Sequence, residues 1–80
     1  MPHHILRLPA VKESAGLFRS ALYPRIEHGV FTPPVRLGGR AVGWPAHEVA
    51  ALNAARIAGK PDAETRELAA KLEADRKAAA

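Results

Sequence analysis

The chain has 80 residues and no cysteine, so we expect one small hydrophobic core, no disulfide and too little volume to enclose a catalytic pocket. No apolar run approaches the roughly 20 residues that cross a bilayer, and no signal peptide is evident, which predicts a soluble cytoplasmic protein that is not an enzyme, needs no cofactor and contacts no membrane. The formal net charge of +4 favours a polyanionic partner. The alternative is that this charge only keeps the protein soluble.

The positive charge is concentrated in the first part of the chain. Up to Trp44, the cations are opposed only by Glu13 and Glu27; they are Arg7, Lys12, Arg19, Arg25, Arg36 and Arg40. Beyond Trp44 the positive and negative charges cancel. All of these cations except Lys12 are arginines, whose planar guanidinium suits phosphate oxygens and the guanine edge.

A short first helix follows a lead-in segment, Met1–Leu6, that has no clear helical or strand period. The spacing of apolar residues predicts this helix from Pro9 to about Ser14, with the proline in the first turn, where its missing N–H is tolerated. Gly16 can adopt the positive φ of a tight turn. We therefore expect a second helix almost immediately after it.

The second helix is predicted from Phe18 to His28. Leu22 and Ile26 lie four residues apart on its inner side, which leaves another side free to contact a ligand. Gly29 suits the position after its last residue. Two short helices joined by a tight turn are typical of a helix-turn-helix unit.

A β-hairpin is predicted after Thr32-Pro33-Pro34, because the prolines cannot continue a helix. Two short β-prone runs flank a small basic tip, Gly38-Gly39-Arg40; they are Val35-Arg36-Leu37 and Ala41-Val42-Gly43-Trp44. Strand alternation places Val35 and Leu37 on one face and Arg36 on the other, towards solvent or a ligand. We assign Trp44 to the core, as its largest side chain.

Two further helices complete the predicted fold. The third begins at Pro45 and packs on the core through positions at helical intervals up to Gly59, namely Val49, Leu52, Ala55 or Arg56, and Ile57. The fourth runs from about Asp62 to Lys77, with charges that suit the helix macrodipole. Its apolar stripe is thin, chiefly Leu68 and Leu72, so it could stand in solvent, pair weakly or pack one turn on the domain.

Several segments of the chain resemble one known family. They span roughly Leu6 to Ile57 and are Leu8-Pro9-Ala10-Val11, Arg19-Ser20-Ala21-Leu22-Tyr23, the stretch from Phe31 to Trp44, and Glu48-Val49. These segments resemble the AlpA-type phage regulators, an excisionase-like group with a MerR-like winged helix-turn-helix fold, and the most specific stretch ends in Arg-Ala-Val-Gly-Trp. The resemblance implies that the second helix enters the major groove and that the wing contacts the flanking backbone.

The expected fold class is therefore mainly α with a small β-hairpin, in which a MerR-like winged helix-turn-helix domain over residues 1–59 precedes a charged helical extension over residues 60–80. Pro24 departs from the family pattern, which commonly has a basic or polar residue after the helix tyrosine. A mid-helix proline removes a hydrogen bond and costs about 3 kcal/mol or kinks the helix. The groove-reading helix should therefore be short or bent.

The candidate DNA-contacting residues of the second helix are Arg19, Ser20, Tyr23 and Arg25. Arg19 is the best placed for a base contact, and Ser20 can donate to a phosphate or a base edge. Tyr23 could instead be half-buried beside Ile26, and Arg25 could simply balance Glu27 or Glu13.

The wing and the first helix supply the other candidates, which are Arg36, Gly39, Arg40 and Lys12. The hairpin glycines let the backbone approach a phosphate, and the arginines supply the charge, although the glycines could equally serve only the turn. Lys12 would contact the backbone where the first helix crosses it, or would be a solvated lysine. No catalytic or metal-binding residue is predicted, because the histidines lack paired zinc-ligand spacing; they are His3, His4, His28 and His47.

The predicted function is sequence-specific binding of double-stranded DNA by a transcriptional regulator or excisionase-type recombination factor of a phage or mobile element. Further expected partners are an integrase or RNA polymerase, and a second copy of the chain, as a homodimer or cooperative oligomer on repeated half-sites. The alternative is a protein-interaction module, a phage or host adaptor whose wing and last helix dock on another protein.

Overall fold

The computed structural model describes residues 4–78, which form a small three-stranded sheet and four helices. The elements in chain order are β1 (Ile5–Leu6), α1 (Leu8–Ala15), α2 (Arg19–Glu27), β2 (Val35–Gly38), β3 (Ala41–Pro45), α3 (Ala46–Ile57) and α4 (Asp62–Ala78). The predicted helices and the hairpin are confirmed, and the protein is mainly helical. The lead-in residues Met1–His3 lie outside the described part of the chain.

The turn between α1 and α2 is as tight as the sequence predicts. Gly16 has a φ of 66°, in the left-handed region, and its N–H donates to the Glu13 carbonyl oxygen at 3.3 Å. The Leu17 N–H then donates a hydrogen bond to the Lys12 carbonyl oxygen at 3.0 Å. These bonds satisfy the last carbonyls of α1 and let α2 begin at Arg19. Two short helices joined in this way are compatible with a small helix-turn-helix domain.

The sheet contains one strand that the sequence analysis missed. Its order is β1-β3-β2, and both pairs are antiparallel. Treating Ile5–Leu6 as a lead-in segment was wrong, since Ile5 pairs with Pro45 and Leu6 with Trp44. A two-residue strand is too short to show the alternation by which strands are recognised in a sequence.

Gly43 explains how β1 can lie so close to β3. A Cβ atom at this position would overlap Ile5 Cγ2 and would lie 3.1 Å from both the Leu6 carbonyl oxygen and Leu37 Cδ1. A side chain here would push β1 away from the middle strand. The absence of a side chain at Gly43 therefore lets Ile5 and Leu37 cover the strand.

Replacing Gly43 with alanine should lower the free energy of unfolding by about 1 kcal/mol, because Ile5 Cγ2 and the Leu6 backbone must both shift to accept the methyl group. Urea denaturation followed by far-UV circular dichroism measures this change. In the background of Ile5→Ala, which removes the overlapping side chain, the loss should be smaller. Equal stability of the parent and Gly43→Ala would contradict this account of the strand contact.

The hydrophobic core lies between the sheet and the helices. Its buried apolar cluster comprises Val11, Leu22, Phe31, Trp44, Val49, Leu52 and Ala69. Trp44 is fully buried, as predicted, and its Nε1–H donates to the Thr32 carbonyl oxygen at 2.9 Å. This bond gives the indole its polar partner and fixes the segment before the wing.

The inner side of α3 differs from the prediction at one residue. Leu52 and Ala55 are buried, but Ile57 is 87% exposed. Ile57 lies five residues after Leu52, a rotation of about 140° away from it around the helix, whereas Ala55 lies about 60° from it. Assigning Ile57 to the packing stripe was therefore wrong.

Helix α4 packs along the domain over several turns, rather than standing in solvent or touching it with one turn. Thr65 and Ala69 are buried, and Leu68 and Leu72 are partly buried against the core cluster. Arg76, a further turn on, binds the buried Glu48 of α3. The division of the chain at residues 59 and 60 into a domain and an extension stays a prediction.

Candidate nucleic-acid interface

The N-terminal end of α2 is open to a ligand. The carbonyl oxygen of its N-cap residue, Phe18, accepts hydrogen bonds at 2.9 Å from the N–H groups of Ala21 and Leu22. The N-cap side chain makes no capping bond, and the N–H groups of Arg19 and Ser20 have no partner among residues 4–78. Two donors at the positive end of the helix dipole are thus available to an anion.

Arg19 and Tyr23 form a stacked pair next to these donors. The Arg19 Cζ atom lies 5.1 Å from the centroid of the Tyr23 ring. Arg19 and Ser20 are exposed and Tyr23 is half-buried, so the ring serves as a platform for the guanidinium. A contact of this kind contributes about 0.5–1 kcal/mol at an exposed site. It orients the guanidinium and leaves its N–H donors without a partner in the described part of the chain.

Pro24 does not end the helix that carries these residues. Helix α2 has nine residues and continues to Glu27, and the His28 N–H bonds to the Pro24 carbonyl oxygen at 3.0 Å. The proline is exposed, whereas Leu22 on the opposite side is fully buried. Its missing N–H therefore affects only the outer side of the helix.

Arg25 is half-buried, and its Nε atom is shielded from solvent without a hydrogen-bond partner in residues 4–78. The expectation that Arg25 could balance Glu27 or Glu13 was wrong, because neither carboxylate pairs with it in the described residues. Lys12 is half-buried on α1 and lines a shallow groove with Phe18. Of these two cations, Lys12 therefore lies beside the open end of α2.

The wing presents its cations at an exposed tip. Gly39 and Arg40 form a two-residue turn between Gly38 and its ladder partner Ala41. Gly39 has a φ of 53°, and a Cβ atom there would meet no atom within 4 Å. The turn itself therefore favours glycine at this position through its positive φ, and the backbone around it is open to a ligand.

Arg36 leaves the sheet on the same side as the helices. It is exposed and lies directly opposite Val42, and residues directly opposite each other share one face of a sheet. Val42 packs against the core, as does Trp44 two residues further along β3. Val35 lies opposite Gly43, and Leu37 contacts it, so the predicted alternation of β2 is confirmed.

The arginines of the second half have partners within the protein. The Arg56 Nη1 atom donates to the Ala15 carbonyl oxygen at 2.6 Å, and Arg66 Nε donates to the His28 carbonyl oxygen at 2.8 Å. These contacts place cations at the C-terminal ends of α1 and α2, where the dipole is negative. They hold α3 and α4 against the helix-turn-helix unit.

Arg76 binds both oxygens of the Glu48 carboxylate, with Nη2 at 2.6 Å from Oε1 and Nε at 2.8 Å from Oε2. Its Nη2 atom also donates to the Pro33 carbonyl oxygen at 2.7 Å. The hydrogen bond to Glu48 raises the pKa of Arg76, against the effect of burial, which lowers it. The guanidinium therefore stays charged and joins α4, α3 and the segment before the wing.

Three arginines of the first half, unlike those of the second half, have no such partners in the described part of the chain. For Arg19, Arg36 and Arg40, no hydrogen bond or ion pair occurs with any residue between His4 and Ala78. The described residues extend over 34 × 29 × 21 Å, and the longest of these extents is comparable to one turn of B-DNA, about 34–36 Å.

A family model described as "Prophage CP4-57 regulatory protein (AlpA)" matches residues 4–56. The chain belongs to the AlpA family of phage regulatory proteins. The AlpA match runs from the residue before β1 to the last turn of α3, and α4 lies outside it. The resemblance predicted from the sequence is therefore confirmed, and the exposed end of α2 and the wing both lie within the family region.

A curated relative of this AlpA protein is "Uncharacterized protein ORF88" of Enterobacteria phage P4. It is 49% identical over 55 residues, which cover 69% of this chain and 62% of the relative. The chain thus spans about three fifths of the length of the relative that it matches. No solved structure gives a significant match.

Within residues 4–78, no group of three His, Asp or Glu side chains is placed to hold a metal ion. Among the helices of the same residues, none combines the length and the apolar character that spanning a membrane requires.

One prominent residue of this surface, Phe18, is not predicted from the sequence. Phe18 is 80% exposed, although an apolar residue beside Leu17 at the start of a helix suggests a core position. Leu17 packs against the core instead. Nothing in the sequence distinguishes these two neighbours, because the direction in which each points depends on the residue at which α2 begins.

Proposed function

We propose that this AlpA protein is a sequence-specific double-stranded DNA-binding regulator with a MerR-like winged helix-turn-helix domain. The observation that carries the proposal is the open end of α2, where exposed Arg19 lies on a helix-turn-helix unit together with two N–H groups that have no partner among residues 4–78. Helix α2 enters the major groove, and Arg19 reads a base edge. Ser20 and Tyr23 contact a base or the adjacent backbone.

The remaining candidates position the protein on the backbone. Arg36, Gly39 and Arg40 of the wing contact the phosphates beside the groove, and Lys12 contacts them from α1. Arg25 adds charge near the groove without contacting a base. The balance of charge supports this arrangement, since the arginines of the second half are bound to carbonyls and to Glu48.

Such a protein acts by occupying DNA and performs no chemistry. It regulates transcription or directs recombination as an excisionase does, with RNA polymerase or an integrase as its protein partner. A reader of this size buries little surface, so tight binding uses two or more copies on repeated or inverted half-sites.

Salt dependence tests the proposal. About four phosphate contacts predict that log K falls with log salt concentration with a slope of about −3.6, and that affinity falls about 150-fold between 50 and 200 mM salt. Fluorescence anisotropy on a random-sequence duplex and on a duplex enriched from a random pool measures both affinities. Tight binding should persist at physiological salt only on the enriched duplex.

A matched pair of variants locates the contacts. Arg40→Ala at the wing tip should reduce the slope by about 0.9, whereas Lys71→Ala, an exposed cation of α4, should leave it unchanged. Absence of binding to either duplex at 50 mM salt would overturn the proposal. It would favour the adaptor alternative, in which the wing and α4 dock on another protein.

A further inference from the structure

Phe18 is unusual for its position in two ways, since apolar side chains are normally buried and N-cap positions normally hold a polar residue. Its ring is 80% exposed although it is one of the most apolar side chains of the protein. It also stands at the N-cap of α2, where Ser, Thr, Asp or Asn would satisfy a free N–H group and Phe satisfies none. Neither burial nor capping therefore explains an aromatic residue here.

The ring lies beside a cation and beside backbone donors that have no partner in residues 4–78. Phe18 lines a groove with Lys12 and Glu13 of α1, and Arg19 follows it directly on α2. The groove lining thus holds one cation, Lys12, and one acidic residue, Glu13, and Arg19 supplies a second cation at the next position in the chain. The ring also adjoins the N–H groups of Arg19 and Ser20, which have no partner in residues 4–78.

We propose that Phe18 packs against the C5-methyl group of a thymine and so selects a T·A pair at one position of each half-site. This inference rests on the proposed function, in which the N-terminal end of α2 lies in the major groove. The thymine methyl is the apolar feature of that groove, and Phe is one of the side chains that contact it. Arg19 reads polar base edges, and Phe18 adds the apolar contact that separates thymine from cytosine.

Replacing single thymines by deoxyuridine tests the contact directly. Deoxyuridine keeps the pairing edge and lacks only the methyl group. In a duplex enriched by the parent protein from a random pool, a replacement should weaken parent binding about fourfold for each half-site that carries it, the factor for one buried methyl group. Phe18→Ala should bind the unsubstituted duplex at least fourfold more weakly and should show no effect of that replacement.

Two further variants separate recognition from folding. Ile57→Ala removes the other strongly exposed apolar side chain of residues 4–78 and should keep the parent's affinity and its response to deoxyuridine. Phe18→Ser installs a favourable N-cap, so its Tm should rise by about 4 °C. Its DNA affinity should fall as in Phe18→Ala, which no loss of structure could explain.

The outcomes are distinct. If Phe18→Ala responds to deoxyuridine as the parent does, the thymine contact is overturned while DNA binding stands. If Phe18→Ala keeps the parent's response and also differs from the parent in sedimentation coefficient in the absence of DNA, Phe18 contacts another protein molecule instead of thymine. If the parent itself binds no duplex at low salt, the proposed function fails first and the inference fails with it.

Discussion

Replacing Arg76 with alanine should lower the free energy of unfolding by about 3 kcal/mol. The Glu48 side chain is fully buried, and both of its oxygens are bonded to the Arg76 guanidinium. Removing one partner of a buried ion pair leaves an uncompensated charge, which typically costs 3–5 kcal/mol. The Arg76 side chain is 21% exposed, so water can partly replace it, and we expect the lower end of that range.

Thermal and urea unfolding measure this effect. A loss of about 3 kcal/mol corresponds to a Tm lower by about 15 °C for a domain of this size. Lys77→Ala is the matched control, because Lys77 is the adjacent exposed cation of α4 and should change Tm little. Adding Glu48→Gln to Arg76→Ala removes the unpaired charge and should restore part of the loss. An Arg76→Ala protein as stable as Lys77→Ala would show that the pair contributes nothing.

Arg76 also connects α4 to the part of the chain that matches the AlpA family. Its bond to the Pro33 carbonyl oxygen fixes the segment from which β2 begins. Glu48 lies within the AlpA match, and its partner Arg76 lies beyond the end of that match. The α4 helix therefore stabilises the wing from outside the family region, and Arg76→Ala should weaken wing contacts with DNA as well as the fold.

The elements that the sequence predicts well are those that strong local signals delimit. Gly16, Gly29 and the Pro33-Pro34 pair mark the ends of α1 and α2 and the beginning of the wing. At each of them the backbone requirement comes from the residue itself, either a positive φ or a missing N–H. Trp44 could be assigned to the core because a core this small needs its largest side chain.

The features that escaped prediction depend on partners far away in the chain. Strand β1 is recognisable only through Gly43, which leaves room for Ile5 about 40 residues earlier in the sequence. Glu48 and Arg76 are both charged residues of helices, and charges on helices usually face solvent. Their burial against each other follows from the crossing of α3 and α4, which no local pattern reveals.

Phe18 illustrates the same limit at the candidate interface. The apolar pair Leu17-Phe18 precedes α2, and only one of the two side chains packs against the core. Which one does so depends on the backbone of the turn after Gly16. The polar candidates Arg19, Ser20 and Arg40 could be placed on exposed surfaces from the sequence, because charge and helix position agree there.

Replacing Arg19 with alanine should weaken binding to the enriched duplex about 30-fold for each half-site and relax base preference at one position of each half-site. A bidentate contact from arginine to guanine discriminates by about 1–3 kcal/mol, and Tyr23 already orients the guanidinium in the free protein. Stability should change little, because Arg19 is exposed and its contact within the described residues is that ring.

Arg19→Lys separates charge from geometry, since lysine keeps the charge but not the planar pair of donors. It should retain the salt slope of the parent and still lose the base preference, whereas Arg40→Ala should weaken all sequences about equally and reduce the slope. Affinities for duplexes that carry each base pair in turn measure both effects. If Arg19→Ala and the parent rank these duplexes identically, Arg19 contacts the backbone, and the base-reading surface of α2 must lie elsewhere on its exposed side.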